Sequence, residues 1–371
     1  MSELREMVRE TAARIFEDHV EGARKQPWPD ALWSEMRQAG FDRALVPEEG
    51  GGAGLSWSDA FSLLSVAGAH AAPVPLAEAM IGNWMLQRAG IAAQGYVPVV
   101  ALLDISVVQL RRSPSGCTID GTLPRVPWGR NCRQVAIICA EPDGPSLAVV
   151  DLGAAGVAID EGLNLAKEPR DSLRLKGVKP AFVVPSPISA ADLLALAAIS
   201  RSALIAGAIG RVLELTVDYA NLRVQFGRPI GKFQVIQQNL AVLATEAVAA
   251  RAAAAGGSEA IDAWLDGNAP LAATLSVTLA AASAKIRAGE AAGRAAGIAH
   301  QVFGAMGFTE EHTLHHFTKR LWSWRDEHGN EAFWCRRLGE RVVAAGPRGL
   351  WPLVTDAGVA RATRGGDHPA A

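Results

Sequence analysis

The first quarter of the chain carries apolar residues three and four positions apart, as on the buried face of an α-helix. Groups with this spacing lie at residues 7–15, 32–36 and 61–66. Segments rich in proline and glycine separate the groups and end each helical pattern. The pattern predicts three or four helices in a domain that covers residues 1–95.

At about residue 96 the pattern changes to short β-rich runs such as VPVVALLDI, QVAIICA and SLAVVDL. Gly, Pro and Asp turns separate these runs at the spacing typical of an all-β unit. Residues 96–187 are therefore predicted to form a small β-barrel or sandwich.

Helical spacing returns at residue 190, and residues 190–226 are apolar on nearly every side, as in the central helix of a bundle. A second helix is predicted over residues 234–255, where the Gly-Gly-Ser run at 256–258 breaks the pattern. A third helix over residues 271–306 completes the long part of the bundle.

The predicted fold class is α+β, with a C-terminal helical bundle over residues 188–360 and a disordered tail at 361–371. The order of helices, β unit and helices places a cleft at a domain junction, where ligand sites commonly form.

Charge and composition exclude several classes of function. The 371 residues have a formal net charge of -2 and a pI near 6.5, and the basic residues are scattered, so we expect no nucleic-acid partner. The start has no apolar run of signal-peptide length, and we find no stretch of about 18–20 uncharged apolar residues. We therefore expect a cytoplasmic protein without a membrane partner. The cysteines suit neither a zinc site nor a CxxC pair, and we interpret them as reduced thiols: Cys117, Cys132, Cys139 and Cys335.

Three segments together resemble one known family. Residues 219–234 (YANLRVQFGRPIGKFQ) are similar to a signature in which a helix ends in R-x-x-F-G and restarts at F-Q. Residues 301–311 (QVFGAMGFTEE) resemble the pattern Q-x-x-G-G-x-G-[YF]-x-x-E, with Ala305 in place of one glycine. Residues 45–54 (LVPEEGGGAG) resemble an N-terminal V-P-E-E-x-G-G-x-G loop. The three segments, in this order, resemble the acyl-CoA dehydrogenase family.

The resemblance implies a fold of N-terminal helices, a middle β domain and a C-terminal four-helix bundle. It also implies FAD as cofactor, α,β-dehydrogenation of an acyl-CoA thioester, and an electron-transfer flavoprotein-type acceptor. Arg223 can neutralise a pyrophosphate, and small residues let the backbone approach the cofactor closely. In the family these motifs contact the adenine dinucleotide end of FAD held partly by a neighbouring subunit, which implies a dimer or tetramer. The predicted FAD-binding residues are Arg223, Gln225, Phe226, Phe233, Gln234, Gln301, Val302, Phe303, Gly304, Ala305 and Asn330.

Simpler interpretations of the same residues remain open. Arg223 can cap the C-terminus of its helix, and the glycines can form an ordinary turn. His312 and His316 lie one helical turn apart, but we identify no further ligands and predict no metal site.

The β domain departs from the family pattern. The family begins this domain with T-E-P-x-x-G-S-D, which holds the flavin ring and the thioester, and residues 90–118 contain no such segment. Residues 140–144 (AEPDG) look similar but lie between two apolar strands, so we predict a hairpin turn. Trp128 resembles the aromatic that the family places beside the flavin, although ordinary packing explains this residue better.

The catalytic base is the second departure. Dehydrogenation needs a group that removes the α-proton while the flavin accepts a hydride. The family's E-G-T motif aligns with residues 328–330, so His328 stands at the base position, next to Glu327. The family's alternative position holds Ser200, just before Arg201, which we predict to face the substrate unless it forms a buried salt bridge.

Three arrangements of the base stay open. Glu327 could act after a shift of one residue, and His328 could act with its basicity raised by neighbouring carboxylates. The third arrangement has no base in this chain.

That third arrangement resembles the α2β2 acyl-CoA dehydrogenases of sterol side-chain catabolism, in which unlike subunits share flavin and base. We therefore predict a hetero-oligomer with a second acyl-CoA dehydrogenase-like chain. The alternatives are a non-catalytic scaffold subunit of such a complex, and a flavin monooxygenase built on the same fold.

Overall fold

The computed structural model describes residues 3–92, 96, 98–114, 116–266 and 274–355. The predicted tail at 361–371 lies outside the described residues. In the described part the chain forms helices, then two β-sheets, then a helical bundle, which is the predicted α+β order.

The N-terminal part consists of α1 (Glu3–Ala23), α2 (Asp30–Gln38), α3 (Trp57–Ala69) and α4 (Leu76–Arg88). The Ser56 hydroxyl caps α3 by accepting a hydrogen bond from the Asp59 backbone N–H at 3.1 Å. Before α3, the 45–54 loop folds back on itself so tightly that a Cβ at Gly52 would overlap the Val46 carbonyl oxygen. Glycine is therefore required at this position by the loop's own geometry.

The middle part is a sandwich of two four-stranded sheets. One sheet has the order β1-β4-β5-β8, in which β1 is parallel to β4 and the other pairs are antiparallel. The other, antiparallel, sheet has the order β2-β3-β7-β6. The predicted hairpin at 140–144 is confirmed, since it joins β4 to β5. The strands are β1 (Val99–Val100), β2 (Val108–Ser113), β3 (Gly116–Pro127), β4 (Gln134–Cys139), β5 (Ser146–Asp151), β6 (Val157–Asp160), β7 (Arg170–Val178) and β8 (Phe182–Pro185).

The C-terminal bundle is built around α5, whose residues from Asp192 to Ile209 are all buried. Ser189 and Asp192 form a capping box at its start. A hairpin, β9 (Val224–Gln225) and β10 (Arg228–Pro229), leads from α5 to α6. The bundle helices are α5 (Ala190–Leu222), α6 (Gln234–Asp266), α7 (Thr274–Phe303), α8 (Leu314–Asp326) and α9 (Glu331–Thr355).

Glycines bring the N-terminal part and the bundle into close contact. A Cβ at Gly68 of α3 would overlap the Leu204 carbonyl oxygen, and one at Gly207 of α5 would overlap that of Ser65. The two helices therefore pack backbone to backbone, which only residues without a side chain permit.

The predicted break at residues 256–258 is wrong, because α6 continues to Asp266. A Cβ at Gly257 would lie 3.0 Å from a methyl carbon of Ile199 on α5, so this glycine serves helix packing. Two helices among the described residues are long and apolar enough to cross a membrane: Ala190–Leu222 and Gln234–Leu265. In the most apolar 18-residue stretch of the first helix 94% is buried within the protein, as expected of a bundle's core helix.

Candidate functional site

The bundle-end surface consists of the connection between α5 and α6 together with the end of α7. Tyr219 stacks on Phe303 with ring centroids 4.2 Å apart, so the C-termini of α5 and α7 lie side by side. Gly304 then takes a positive φ of 59°, a conformation that favours glycine. The structure thus brings the two signatures at residues 219–234 and 301–311 into one surface.

Three polar side chains on this surface are exposed to solvent. Arg223, Gln234 and Gln301 make no side-chain hydrogen bond or ion pair within the described residues. Phe226 is 92% exposed, and its ring lies 6.1 Å from that of Phe233. These donors and rings suit a phosphate and a flat base that approach from outside the chain.

Other predicted FAD residues have different surroundings. Val302 and Phe303 are buried in the bundle, where they support the surface from below. The side chain of Gln225 donates to the neighbouring carbonyl of Val224 at 2.9 Å. The Asn330 carboxamide oxygen accepts from the Phe333 backbone N–H at 3.1 Å, and so caps α9.

Glu327 lies at the C-terminal end of α8 and is held by two arginines. Arg170 of β7 donates from Nε to Oε1 at 2.7 Å, and Arg201 of α5 donates from Nε to Oε2 at 2.6 Å. Burial by itself would raise the pKa of Glu327, but the two guanidinium groups outweigh it and hold the pKa far below its usual value. The carboxylate is therefore ionised and engaged at both oxygens.

The Glu327 pair belongs to a longer buried charge network. Arg201 is 2% exposed and also donates to Glu78 of α4. This is the buried salt bridge that the sequence left open as the alternative to a substrate-facing role. Oppositely charged neighbours are needed here, because an unpaired charge in a protein interior is strongly unfavourable. In order along the chain of contacts the members are Glu78, Arg201, Glu327, Arg170, Glu168 and Arg320.

His328 is half-buried beside this network and has a positive φ of 56°. Its pKa is lowered well below the usual value by burial first and by the charge of Arg201 second. The neighbouring carboxylate of Glu327 raises the pKa, as expected, but burial and Arg201 outweigh it. His328 is therefore a neutral and weak base.

Lys285 of α7 supports the same turn, although no sequence motif identified it. Its buried ammonium donates to the carbonyls of Arg325 at 2.5 Å and Gly329 at 2.8 Å. Burial lowers its pKa to about 8. A single lysine in an alanine-rich helix gives no signal of this role.

The cavity next to Glu327 and His328 is small. It measures about 180 Å³ and is also lined by Glu78 and by residues 99–104 and 124–125. Ligand pockets start at roughly 300 Å³. The cavity next to Glu327 and His328 therefore lies below the size range of ligand pockets, whereas the bundle end is open to a ligand from outside the chain.

Trp128 and His312 both take ordinary structural roles. The Trp128 ring lies 5.5 Å from that of Trp28 in a buried aromatic cluster. His312 accepts from the Leu314 backbone N–H at 3.1 Å. The described residues contain no group of three side chains that could hold a metal ion.

Comparisons with known proteins identify relatives over most of the chain. Family models of the acyl-CoA dehydrogenase N-terminal and C-terminal domains match residues 1–97 and 189–343. The chain is 30% identical over 327 residues to acyl-CoA dehydrogenase IpdE2 of Mycobacterium tuberculosis. This match covers 86% of this chain and 91% of the relative.

Two solved structures share the fold. The ChsE4-ChsE5 complex from Mycobacterium tuberculosis gives a TM-score of 0.82 at 24% identity, over 94% of this chain and 99% of that chain. A steroid ACAD variant gives 0.80 at 24% identity, over 92% of this chain and 98% of that chain. The predicted fold class is confirmed.

Proposed function

The chain belongs to the acyl-CoA dehydrogenase family of FAD-dependent oxidoreductases, and we propose that it is one subunit of a hetero-oligomer with a shared FAD site. In this proposal its bundle-end surface contacts the adenine dinucleotide end of FAD. A second acyl-CoA dehydrogenase-like chain supplies the base that removes the α-proton of the acyl-CoA.

The observation that carries the proposal is the pairing of Glu327 with Arg170 and Arg201. A general base works best when its pKa lies near the working pH, because it must both hold and release the proton. The two arginines lower the pKa of Glu327 far beneath that range. His328 also has a pKa well below its usual value. We infer that neither group removes the α-proton.

The bundle-end surface supports the other half of the proposal. The chemistry that FAD supplies in such a site is acceptance of a hydride from the β-carbon. Arg223 would neutralise the diphosphate, while Gln234 and Gln301 would bond its polar groups and Phe226 would pack on a ring. Their exposure leaves them available to a cofactor that a neighbouring subunit holds.

In this proposal Arg201 and Arg170 stay in their ion pairs with Glu327 and hold the turn that carries His328 beside the small cavity. The substrate class we propose is an acyl-CoA of lipid or steroid catabolism, because the IpdE2 and steroid ACAD relatives support it. An electron-transfer flavoprotein-type protein would then accept the electrons.

The test is flavin content, read as absorbance at about 450 nm, the band of an oxidised flavin. We expect a colourless chain alone, and a yellow complex after co-expression with an acyl-CoA dehydrogenase-like chain encoded beside it. Arg223→Ala should remove the colour from the complex, whereas Arg88→Ala, on α4 away from the bundle end, should not. A yellow chain that bleaches alone with an acyl-CoA contradicts the shared site.

Two further readouts separate the alternative functions. A scaffold subunit predicts that Arg223→Ala leaves the flavin content of the complex unchanged. A flavin monooxygenase predicts oxygen consumption when reduced flavin is added, and a dehydrogenase predicts bleaching by the acyl-CoA without oxygen.

A further inference from the structure

A cavity of about 340 Å³ is lined by α1, α3, α5 and α6, on the helical side of the molecule. Its volume falls within the roughly 300–1,000 Å³ of small-molecule sites. It contains no residue of the bundle-end surface and none of the residues that line the smaller cavity beside Glu327. The proposed function therefore leaves this cavity without a role.

The cavity follows from the way α3 is attached to the bundle at two points. The Asp262 carboxylate of α6 accepts from the backbone N–H groups of Trp57 at 2.6 Å and Ser58 at 3.0 Å, and so holds the first turn of α3 to α6. Towards its other end α3 packs on α5, where Gly68 and Gly207 bring the two backbones together. Between the two attachments most of the facing side chains are small, which leaves the space open: Ser62, Ser65, Ala203, Ala206, Ala252, Ala254 and Ala255.

The floor of the cavity is apolar. Phe61 of α3, Ala203 and Ala206 of α5, and Ala254 of α6 line it and are all buried. Val248 of α6 adds an apolar side chain that is 58% exposed. A hydrocarbon chain that displaces water from such a surface is stabilised by the hydrophobic effect. The floor therefore suits a ligand with an apolar body.

The wall of the cavity carries two arginines without a counter-ion. Arg9 of α1 and Arg251 of α6 are exposed and form no ion pair within the described residues, whereas Arg5 is paired with Asp59. The lining also contains Glu259, which lies eight residues after Arg251 on α6 and so about 12 Å away along the helix axis. The lining thus has an excess of positive charge, and its Arg251 end lacks a carboxylate.

A serine hydroxyl adds a neutral donor to the wall. Ser65 is half-buried, and its hydroxyl makes no hydrogen bond in the part of the chain that the structure describes. The hydroxyls of Ser58, Ser62 and Ser258 also line the cavity, but they already donate to other groups of the protein at 2.5–2.8 Å. A carboxylate accepts hydrogen bonds from hydroxyl and guanidinium groups alike.

We propose that this cavity binds an amphiphilic carboxylate, that is, one carboxylate group on a medium-length hydrocarbon chain. The carboxylate accepts from Arg9, Arg251 and Ser65, and the hydrocarbon chain lies on the apolar floor. The two arginines can form charge-assisted hydrogen bonds with this ligand without giving up an existing ion pair. The site is independent of the proposed function, because it shares no residue with the bundle-end surface.

The probe is octanoate, titrated calorimetrically into the purified full-length chain. We expect one site, and weaker binding as salt rises from about 0.1 M to about 1 M, because salt screens exposed charges. Butanoate should bind at least about tenfold more weakly, since it buries fewer methylenes. Octylamine has the same hydrocarbon chain with a positive charge, and equal affinities of octylamine and octanoate would overturn the carboxylate assignment.

Charge variants locate the carboxylate. Arg9→Gln and Arg251→Gln should each weaken octanoate about tenfold, because each removes a charge-assisted hydrogen bond. Both side chains are exposed and outside any ion pair among the described residues, so folding is not at risk. Arg14→Gln is the matched control, since Arg14 is exposed on α1 outside the cavity, and it should leave the affinity unchanged.

A size variant locates the hydrocarbon chain. Ala252 is exposed on α6 and lines the cavity, so Ala252→Leu fills space that the ligand needs and keeps every charge. It should weaken octanoate at least about tenfold. The matched control is Ala241→Leu, at an exposed position of α6 outside the cavity, which should leave octanoate binding unchanged.

The outcomes are separate from those of the flavin measurements. Full octanoate affinity in Arg9→Gln, Arg251→Gln and Ala252→Leu would overturn the proposal and place the ligand elsewhere on the chain. Absence of octanoate binding to the wild-type chain would also overturn it. Arg223→Ala should bind octanoate with full affinity, so failure of the shared FAD site would leave this result unchanged.

Discussion

Glu327→Gln tests whether Glu327 is a structural clamp, that is, an ion-pair partner that stabilises the fold by holding Arg170 and Arg201. The change keeps the shape of the side chain and removes the negative charge between Arg170 and Arg201. Removing one partner of a buried ion pair costs roughly 3–5 kcal/mol, because the remaining charge is left buried and unpaired. Arg170 keeps Glu168 and Arg201 keeps Glu78, so we expect the lower end of that range, about 3 kcal/mol.

The assay is the free energy of unfolding from urea titrations, followed by tryptophan fluorescence, at several pH values. The pKa of Glu327 in the folded protein is lower than in the unfolded chain, where a glutamate titrates at about 4.3. Its contribution is thus fully present above that pH and is lost as the pH falls toward the folded pKa. The difference between wild type and Glu327→Gln should be constant from neutral pH to about 5 and shrink below about 4.

The matched control is Glu161→Gln, the same substitution at a glutamate that is 71% exposed and paired with Arg130. An exposed pair contributes about 0–1 kcal/mol, and salt should screen it. If Glu327→Gln costs no more than Glu161→Gln, the clamp is refuted. If Glu327→Gln folds normally in the assembled complex but abolishes flavin reduction, Glu327 is the base after all.

Three further predictions concern other parts of the chain. Gly207→Ala should destabilise the protein by several kcal/mol in urea titrations, because its Cβ would overlap the Ser65 carbonyl. The control is Gly210→Ala on the same helix, where a Cβ meets no atom, and it should stabilise the protein by about 0.5–1 kcal/mol. Lys285 has a pKa of about 8 in the folded protein, so the unfolded chain binds more protons between pH 8 and about 10.4. The free energy of unfolding of the wild type should therefore rise relative to Lys285→Met by up to about 3 kcal/mol across that range. Phe226→Ser should leave stability within about 0.5 kcal/mol, because this side chain is 92% exposed, yet weaken assembly with the partner chain in sedimentation experiments.

Local patterns predicted most of the elements, because their causes lie close together in sequence, whereas the residues of the bundle-end surface were predicted from the resemblance to the family. The tight turn at Gly52 and the hairpin after Arg223 depend on neighbouring backbone. The end of α6 was predicted wrongly at residues 256–258, since a helix interior tolerates glycine where another helix approaches closely. Propensity gives way to packing at such a position.

The charge state at Glu327 could not be predicted from the sequence. Its partners Arg201 and Arg170 lie 126 and 157 residues away, on different elements. A glutamate beside the family's base position therefore suggested a base, and only the fold shows that two guanidinium groups already bind it. The support by Lys285, 40 residues from the Arg325 carbonyl, is non-local in the same way.

The ion-pair network around Glu327 connects the three parts of the family's fold. Glu78 comes from the N-terminal helices, Arg170 from the β domain, and Arg201 and Glu327 from the bundle, so the ion pairs join all three parts. We infer that the cleft has become a junction that holds the three parts together, and that the exposed bundle end carries the chain's contribution to the shared FAD site.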